Sequence, residues 1–215
     1  MGKISFAVLA ALAISMFTAN AQQDIKLPAP NQNRNTLSVA QALATRHSVR
    51  EFSKKQLSMQ DLSDLCWAAC GQSRDAEHIT SPTAMNKQEI RLFVFDESNV
   101  CEYIPKENVL RIMAYGDHRR LVAGGRFTQD FVKDAPVSLV MVIDFEKFGS
   151  QDVHAVRLGC VDAGIVSENV NLFCQSAGFV TVPRASMDVD GICNLLGFTY
   201  KQLPIMNNPV GYPKE

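Results

Sequence analysis

The chain has 215 residues; 21 Lys and Arg nearly balance 22 Asp and Glu for a net charge of −1, and 47% of the residues are hydrophobic. No long block of like charge breaks that balance, so neither a nucleic acid nor an acidic membrane surface is indicated as a partner. At roughly 100–200 residues per domain, the length supports one domain with a sizeable core.

The first element is an address. Met1 to Lys3 give a short positive start, Ile4 to Phe17 are almost continuously apolar, and Ala19-Asn20-Ala21 offers a small-x-small cleavage site. The apolar run of about 14 residues is shorter than the roughly 20 a spanning helix needs. Residues 1–21 therefore read as a secretory signal peptide, leaving no membrane segment after cleavage and a periplasmic or extracellular destination. No Cys follows the apolar run to accept a lipid and no Arg-Arg pair precedes it, which fits export of an unfolded chain. Residues 22–36, with Pro28, Pro30 and several Asn and Gln, read as a flexible lead-in to a domain spanning 37–215.

Ser38 with Gln41 three residues later forms a capping box that opens a short helix through Ala44. Ser58 with Asp61 opens a second, whose apolar face is Leu62, Leu65, Cys66 and Ala69 and which Gly71 stops. Glu89 to Phe95 and Pro136 to Phe145 are predicted strands, the latter buried, and between them Val100 to Ile104 and Val109 to Met113 suit a hairpin. The longest predicted element is a helix from Asp152 to Ala177, ended by Gly178; Ala163 and Gly164 at its middle suggest the close approach of another backbone. Phe179 to Val182 reads as a short strand, Asp188 to Leu196 as a helix closed by Gly197, and Leu203 to Tyr212 as an extended tail. Helices and strands mix without regular βαβ alternation, so the class is α+β.

The six cysteines, Cys66, Cys70, Cys101, Cys160, Cys174 and Cys193, are irregularly spaced within apolar patterns and read as buried thiols rather than a disulfide framework. Cys66-x3-Cys70 lacks a second pair at ligand spacing, so no metal site is expected.

Three separated segments carry chemistry. Arg46-His47-Ser48-Val49-Arg50 places two guanidinium groups and a hydroxyl within five residues, a set suited to a phosphate and a second electron-rich group, though a solvated basic turn has the same composition. Ser81-Pro82-Thr83-Ala84-Met85-Asn86-Lys87-Gln88 supplies donors and acceptors for a polar heterocycle, or an ordinary loop into a strand. Val182-Pro183-Arg184-Ala185-Ser186-Met187-Asp188 turns from a strand into a helix, where backbone N–H groups can face a ligand or Asp188 can simply cap.

In this order and separation the three segments resemble the nitroreductase family. Arg-His-Ser-x-Arg is similar to its flavin-phosphate motif, Pro-Thr-x-x-Asn-x-Gln to its Pro-Ser-x-x-Asn-x-Gln segment, and the Val-Pro turn to the stretch beside the reactive flavin atom. Leu65 to Gly71 resembles the branch that includes oxazoline and thiazole dehydrogenases of peptide maturation, and Asp162-Ala-Gly-Ile and Pro209-Val-Gly-Tyr-Pro also fit.

The resemblance implies a mostly antiparallel sheet flanked by helices around a long core helix, a homodimer, and FMN as cofactor. It implies Arg46 and Ser48 on the FMN phosphate and ribityl end, His47 beside them through backbone or ring, and Arg50 at the pyrimidine edge. Pro82, Thr83, Ala84, Asn86 and Gln88 would come from the other protomer; Pro183, Arg184, Ala185 and Ser186 would line the ring, with the Ala185 N–H at flavin N5. No side chain need act as acid, base or nucleophile, because the flavin carries the electrons from a donor such as NAD(P)H to a small organic acceptor, nitroaromatic or quinone-like, in a ping-pong cycle. Two features depart from the family pattern: Ala185-Ser186 replaces Glu-Gly or Gly-Gly, and only Lys214 follows the closing Gly-Tyr-Pro to reach the phosphate. A non-catalytic flavin-binding or interaction protein, or a flavin dehydrogenase of a peptide or small molecule, remain alternatives, and Ala114 to Val132, with Phe127 and Phe131, is the candidate acceptor-pocket segment.

Overall fold

The computed structural model describes residues 24–124 and 128–214. The expected signal peptide and Phe127 lie outside the described residues. Within them, one antiparallel sheet of seven strands forms the frame, built from β1 (Asp24–Lys26), β2 (Ile90–Phe95), β3 (Asn99–Ile104), β4 (Val109–Tyr115), β5 (Val137–Asp144), β6 (Val180–Thr181) and β7 (Gln202–Gly211). Their spatial order is β1-β4-β3-β2-β5-β7-β6. Five helices accompany the sheet: α1 (Val39–Thr45), α2 (Met59–Cys70), α3 (Arg119–Ala123), α4 (Val153–Ala177) and α5 (Val189–Leu196). This is the α+β arrangement with a long core helix that the sequence predicts.

Side chains alternate across a strand, and both faces of the central strands are covered. Leu92, Val94, Leu139, Met141 and Ile143 pack with Leu62 and Leu65 of α2 and Ala163, Val166 and Val170 of α4. Phe93, Phe95, Val140 and Val142 pack the other way, with Val122 and Ala123 of α3 and Ile192 of α5. Burial on both faces is why β5 is a continuous apolar run instead of an alternating one.

Helix ends follow local chemistry. The Ser38 capping box is present on α1, and the Asp152 carboxylate accepts from the N–H groups of His154 and Ala155 at the start of α4. Gly178, at φ 82°, closes α4 in the left-handed conformation that glycine adopts without strain. The close approach of another backbone expected at Ala163 and Gly164 is not found at Gly164; the tight contact on α4 falls five residues earlier and is with a side chain. A Cβ on Gly159 would lie 2.7 Å from the Ile143 side chain, whereas Gly164 has no neighbour within 4 Å of that position.

Two other expectations are corrected. Residues 203–212 are not a tail: β7 runs between β5 and β6 inside the sheet, with Pro204 at the register shift opposite Met141 and Val142, where a ladder N–H is dispensable. The described part of the lead-in, from Asp24 onward, is not a flexible tether. β1 pairs with β4, Leu27 is buried, the Asn31 N–H donates to Asp64 (2.7 Å) and Arg34 donates to both Asp61 and Asp64. Its polar composition is spent on partners in α2, far away in sequence.

Candidate active site

The first candidate segment leaves α1 at Arg46, whose N–H still donates to Ala42, and then runs extended. Two backbone bonds fix it: the Val49 N–H donates to Thr181 in β6 (3.0 Å) and the Ser53 N–H to Tyr212 (2.9 Å). Phe52 is buried as an anchor, while Arg46, His47, Ser48 and Arg50 are all exposed. His47 Nδ1 lies 3.0 Å from the Thr45 carbonyl. Among the described residues, the Arg46 and Arg50 guanidiniums and the Ser48 hydroxyl have no hydrogen-bond or ion-pair partner. Lys214 reaches the same ribbon, its Nζ 3.8 Å from Glu51.

Because Val49 is bonded to β6, the ribbon lies beside the third segment. Val182 is buried, and Arg184 exchanges two backbone bonds with Asn207 of β7 (2.8 and 2.7 Å). The Arg184 side chain departs from its expected role. It turns inward, donating to Gln129 (2.8 Å), the Val122 carbonyl (3.1 Å) and Asn207 Oδ1 (2.6 Å). Burial lowers its pKa, one of its Nη atoms has no partner, and Phe131 stacks 5.7 Å from it. Arg184 is thus a brace that ties the turn to α3 and β7, leaving only its neighbours' backbone for a ligand. Ala185 is exposed, and among the described residues its N–H has no acceptor. The Ser186 carbonyl is held by Asn207 Nδ2 at 3.1 Å, and Asp188 caps α5 through the Gly191 N–H.

The second segment is elsewhere. The Ala84 N–H donates to Asp162 of α4 (2.7 Å) and the Gln88 N–H to Thr83 Oγ1 (2.9 Å). Met85, Asn86 and Gln88 have φ of 54°, 52° and 49°, and they are three of the four non-glycine residues with positive φ among the described residues. Asn tolerates that region; Met and Gln do so at a cost, and such strain gathers where function requires a particular backbone. Asn86 and Gln88 rest on the Glu77 carbonyl, while Pro82 is exposed. At a rise of about 1.5 Å per residue, Asp162 lies roughly 22 Å along α4 from Ala177, the end nearest β6. Among the described residues, the first and third segments are joined through β6, and no hydrogen bond or ion pair links the second segment to either of them.

Two residues absent from the predicted site stand under that loop. Glu89 is fully buried with no donor from another residue, and Asp162, 4% exposed, is the carboxyl it meets. Burial first, and Asp162 second, push the Glu89 carboxyl up to about 7. The signals were present: an acid heads a strand that is apolar except for Arg91, and Asp162 falls on the buried stripe of α4 that holds Gly159, Ala163 and Val166.

All six cysteines are free thiols, four of them buried, and desolvation pushes Cys70 and Cys101 up to about 12. They are packing residues in this fold.

The family model of the nitroreductases matches residues 43–212. A nitroreductase homologue from Methanocaldococcus jannaschii is 28% identical over 182 residues, 79% of this chain and 88% of that protein. The crystal structure of a nitroreductase homologue from Ralstonia eutropha has a TM-score of 0.82 at 26% identity, covering 91% of this chain and 92% of that one. A chain of the Escherichia coli microcin synthetase McbBCD complex, at 16% identity and a TM-score of 0.67, covers 100% of this chain and 84% of its own and shares the fold. The chain belongs to the nitroreductase family of oxidoreductases.

Proposed function

We propose that the chain is an exported, homodimeric FMN-dependent oxidoreductase that takes two electrons from a reduced donor such as NAD(P)H and passes them to a small organic acceptor, nitroaromatic or quinone-like. The observation that carries this reading is a juxtaposition. Through the Val49–Thr181 bond, an exposed ribbon with two unpartnered guanidiniums lies beside a turn with an unpartnered backbone N–H. Those groups fit FMN: Arg46 and Ser48 suit the phosphate and ribityl end, with His47 and Lys214 beside them. Arg50 suits the pyrimidine edge, and the Ala185 N–H suits N5, flanked by Pro183 and Ser186. When bound, FMN supplies the two-electron chemistry. The chain's part is to orient the ring, to hold a fixed cation where negative charge gathers, and to fix the Ala185 donor in the turn that Arg184 braces.

The homodimer is part of the same reading: among the described residues, the 82–88 loop makes no hydrogen bond or ion pair with the first or third segment of its own chain, and Pro82, Thr83, Ala84, Asn86 and Gln88 serve the ring of a second copy. Val39 and Leu43 of α1, Val161 of α4 and Met85 are exposed large apolar side chains on the elements that such a pairing would use. Export after cleavage at Ala21 belongs to the same proposal and rests on the sequence pattern.

The test is anaerobic addition of NADH or NADPH to the purified, FMN-loaded mature protein. Bleaching of the flavin followed by acceptor-dependent recovery is the expected result. Failure of the folded protein to take up FMN overturns the proposal.

A further inference from the structure

We infer that Glu89 is a positioning residue: buried against Asp162, it is a protonated carboxylic acid that donates to Asp162 and keeps it the anionic anchor of the Ala84 N–H, thereby setting the 82–88 loop. The loop's role toward a flavin in the second copy rests on the function proposed above.

Glu89 is fully buried and Asp162 nearly so, and counted as carboxylates the two offer each other only acceptors. One proton between them removes a like-charge repulsion in a low-dielectric interior and supplies the missing donor. The proton belongs on Glu89. Asp162 Oδ2 already accepts the Ala84 N–H at 2.7 Å, a length suited to an anionic acceptor, whereas no other residue donates to Glu89.

No other charge offers Glu89 a substitute partner. From β5, Asp144 donates its backbone N–H to the Glu89 carbonyl (2.9 Å), while its carboxylate is taken by the Glu146 N–H and Gln202. Cys70 of α2 and Lys87 of the loop line the neighbouring cavity with Gln88, and Arg91 on β2 is paired with Glu102. Asp162 of α4 is the charged side chain that acts on the Glu89 carboxyl.

The anchor matters because the loop is strained. Left-handed Met85, Asn86 and Gln88 persist only where surrounding contacts over-determine them, and the bond from the Ala84 N–H to Asp162 is one of these contacts, with those from Gln88 to Thr83 and from Asn86 and Gln88 to the Glu77 carbonyl. Ionising Glu89 sets two anions face to face and loosens that anchor. The native site holds its proton more tightly than an unfolded Glu does, so loop order is full in acid and is lost as pH rises toward neutrality.

Amide hydrogen exchange over residues 81–88 of the mature apoprotein, corrected for intrinsic rates, tests this without flavin. Wild-type protection should fall by up to about tenfold per pH unit from about pH 5 until it levels off above neutrality. Glu89→Gln, whose amide still donates but does not titrate, should give protection independent of pH. Asp162→Asn, which removes the neighbouring anion, should leave the onset in place and make the fall level off at lower pH, so that less protection is lost in total. The inference is overturned if Glu89→Gln keeps the wild-type pH dependence, or if wild-type protection is flat while Asp162→Asn changes nothing. FMN affinity measured by calorimetry should follow the same pH course. A pH step in exchange with no matching step in affinity upholds the carboxyl pair and instead removes the loop from the flavin site.

Discussion

The backbone N–H of Val49 donates to the carbonyl of Thr181 across 3.0 Å, joining a ribbon that follows the first helix to a strand more than a hundred residues later. That bond brings two sequence segments together: the ribbon with the bare guanidiniums of Arg46 and Arg50 pairs with the strand that leads into the turn with the bare N–H of Ala185.

The two arginines should act on different parts of one cofactor. Hydrogen bonds to charged groups are worth about 1.5–3 kcal/mol, so Arg46→Ala should weaken FMN binding by roughly one to two orders of magnitude. The midpoint potential should barely move, because the phosphate charge is the same in both redox states. Arg50→Ala removes a cation from the edge where the reduced ring is negative and should lower the potential by some tens of millivolts, with about 30 mV corresponding to 1.4 kcal/mol. Redox titration at saturating FMN distinguishes them; equal shifts mean the roles are misassigned.

Asn208 ties β7 to α4 and β6 in the interior. It accepts from Ser167 (2.7 Å) and donates to Asn171 (2.9 Å) and Thr181 (3.2 Å). Asn208→Leu strands the Ser167 hydroxyl and Asn171 Oδ1, while Thr181 keeps its bond to the Pro209 carbonyl, and at about 1–3 kcal/mol per unsatisfied buried group the loss should be at least roughly 2 kcal/mol. Urea unfolding measures it, and a loss under about 1 kcal/mol would mean the network is replaced by water.

Asp61 fastens both chain ends to α2, accepting from Arg34 (2.5 Å), Tyr212 (2.5 Å) and Ser58 (2.7 Å). Burial by itself raises its pKa, but the bonds from Tyr212, Ser58 and Arg34 together outweigh that and hold the carboxyl below the usual range. A carboxyl depressed in the folded state stabilises above its unfolded pKa and loses that contribution as pH falls through the folded value. Asp61→Asn should cost roughly 1–2 kcal/mol at neutral pH, allowing for partial solvent screening, and nothing relative to wild type once Asp61 is fully protonated in acid. Equal stability at neutral pH contradicts the fastening.

Much of the fold was legible because it is written locally. Ser38 with Gln41, Asp152 and Gly178 mark helix ends by chemistry within a few residues, and the long α4 has a period that no strand shares. What was not legible depends on partners distant in sequence. The 24–36 segment looks disordered by composition until Asp61 and Asp64 are in place, and residues 203–212 look like a tail until β5 and β6 flank them. At the site, Arg46, Ser48 and Arg50 stand exposed as a ligand set requires, but Arg184 could not be distinguished from them by type. Only the fold shows its guanidinium committed to Gln129, Val122 and Asn207.

The central claim is that one flavin site draws its ribbon and turn from one chain and its 82–88 loop from another. Mixed dimers test it most directly. Arg46→Ala/Arg50→Ala homodimers and Asn86→Ala/Gln88→Ala homodimers should each bind FMN poorly, every site carrying one defect. In a heterodimer of the two, sharing across the interface concentrates both defects in one site and leaves the other intact. The account predicts recovery of half the wild-type FMN occupancy with wild-type affinity. Heterodimers that bind no better than either parent would show that each chain builds its site alone.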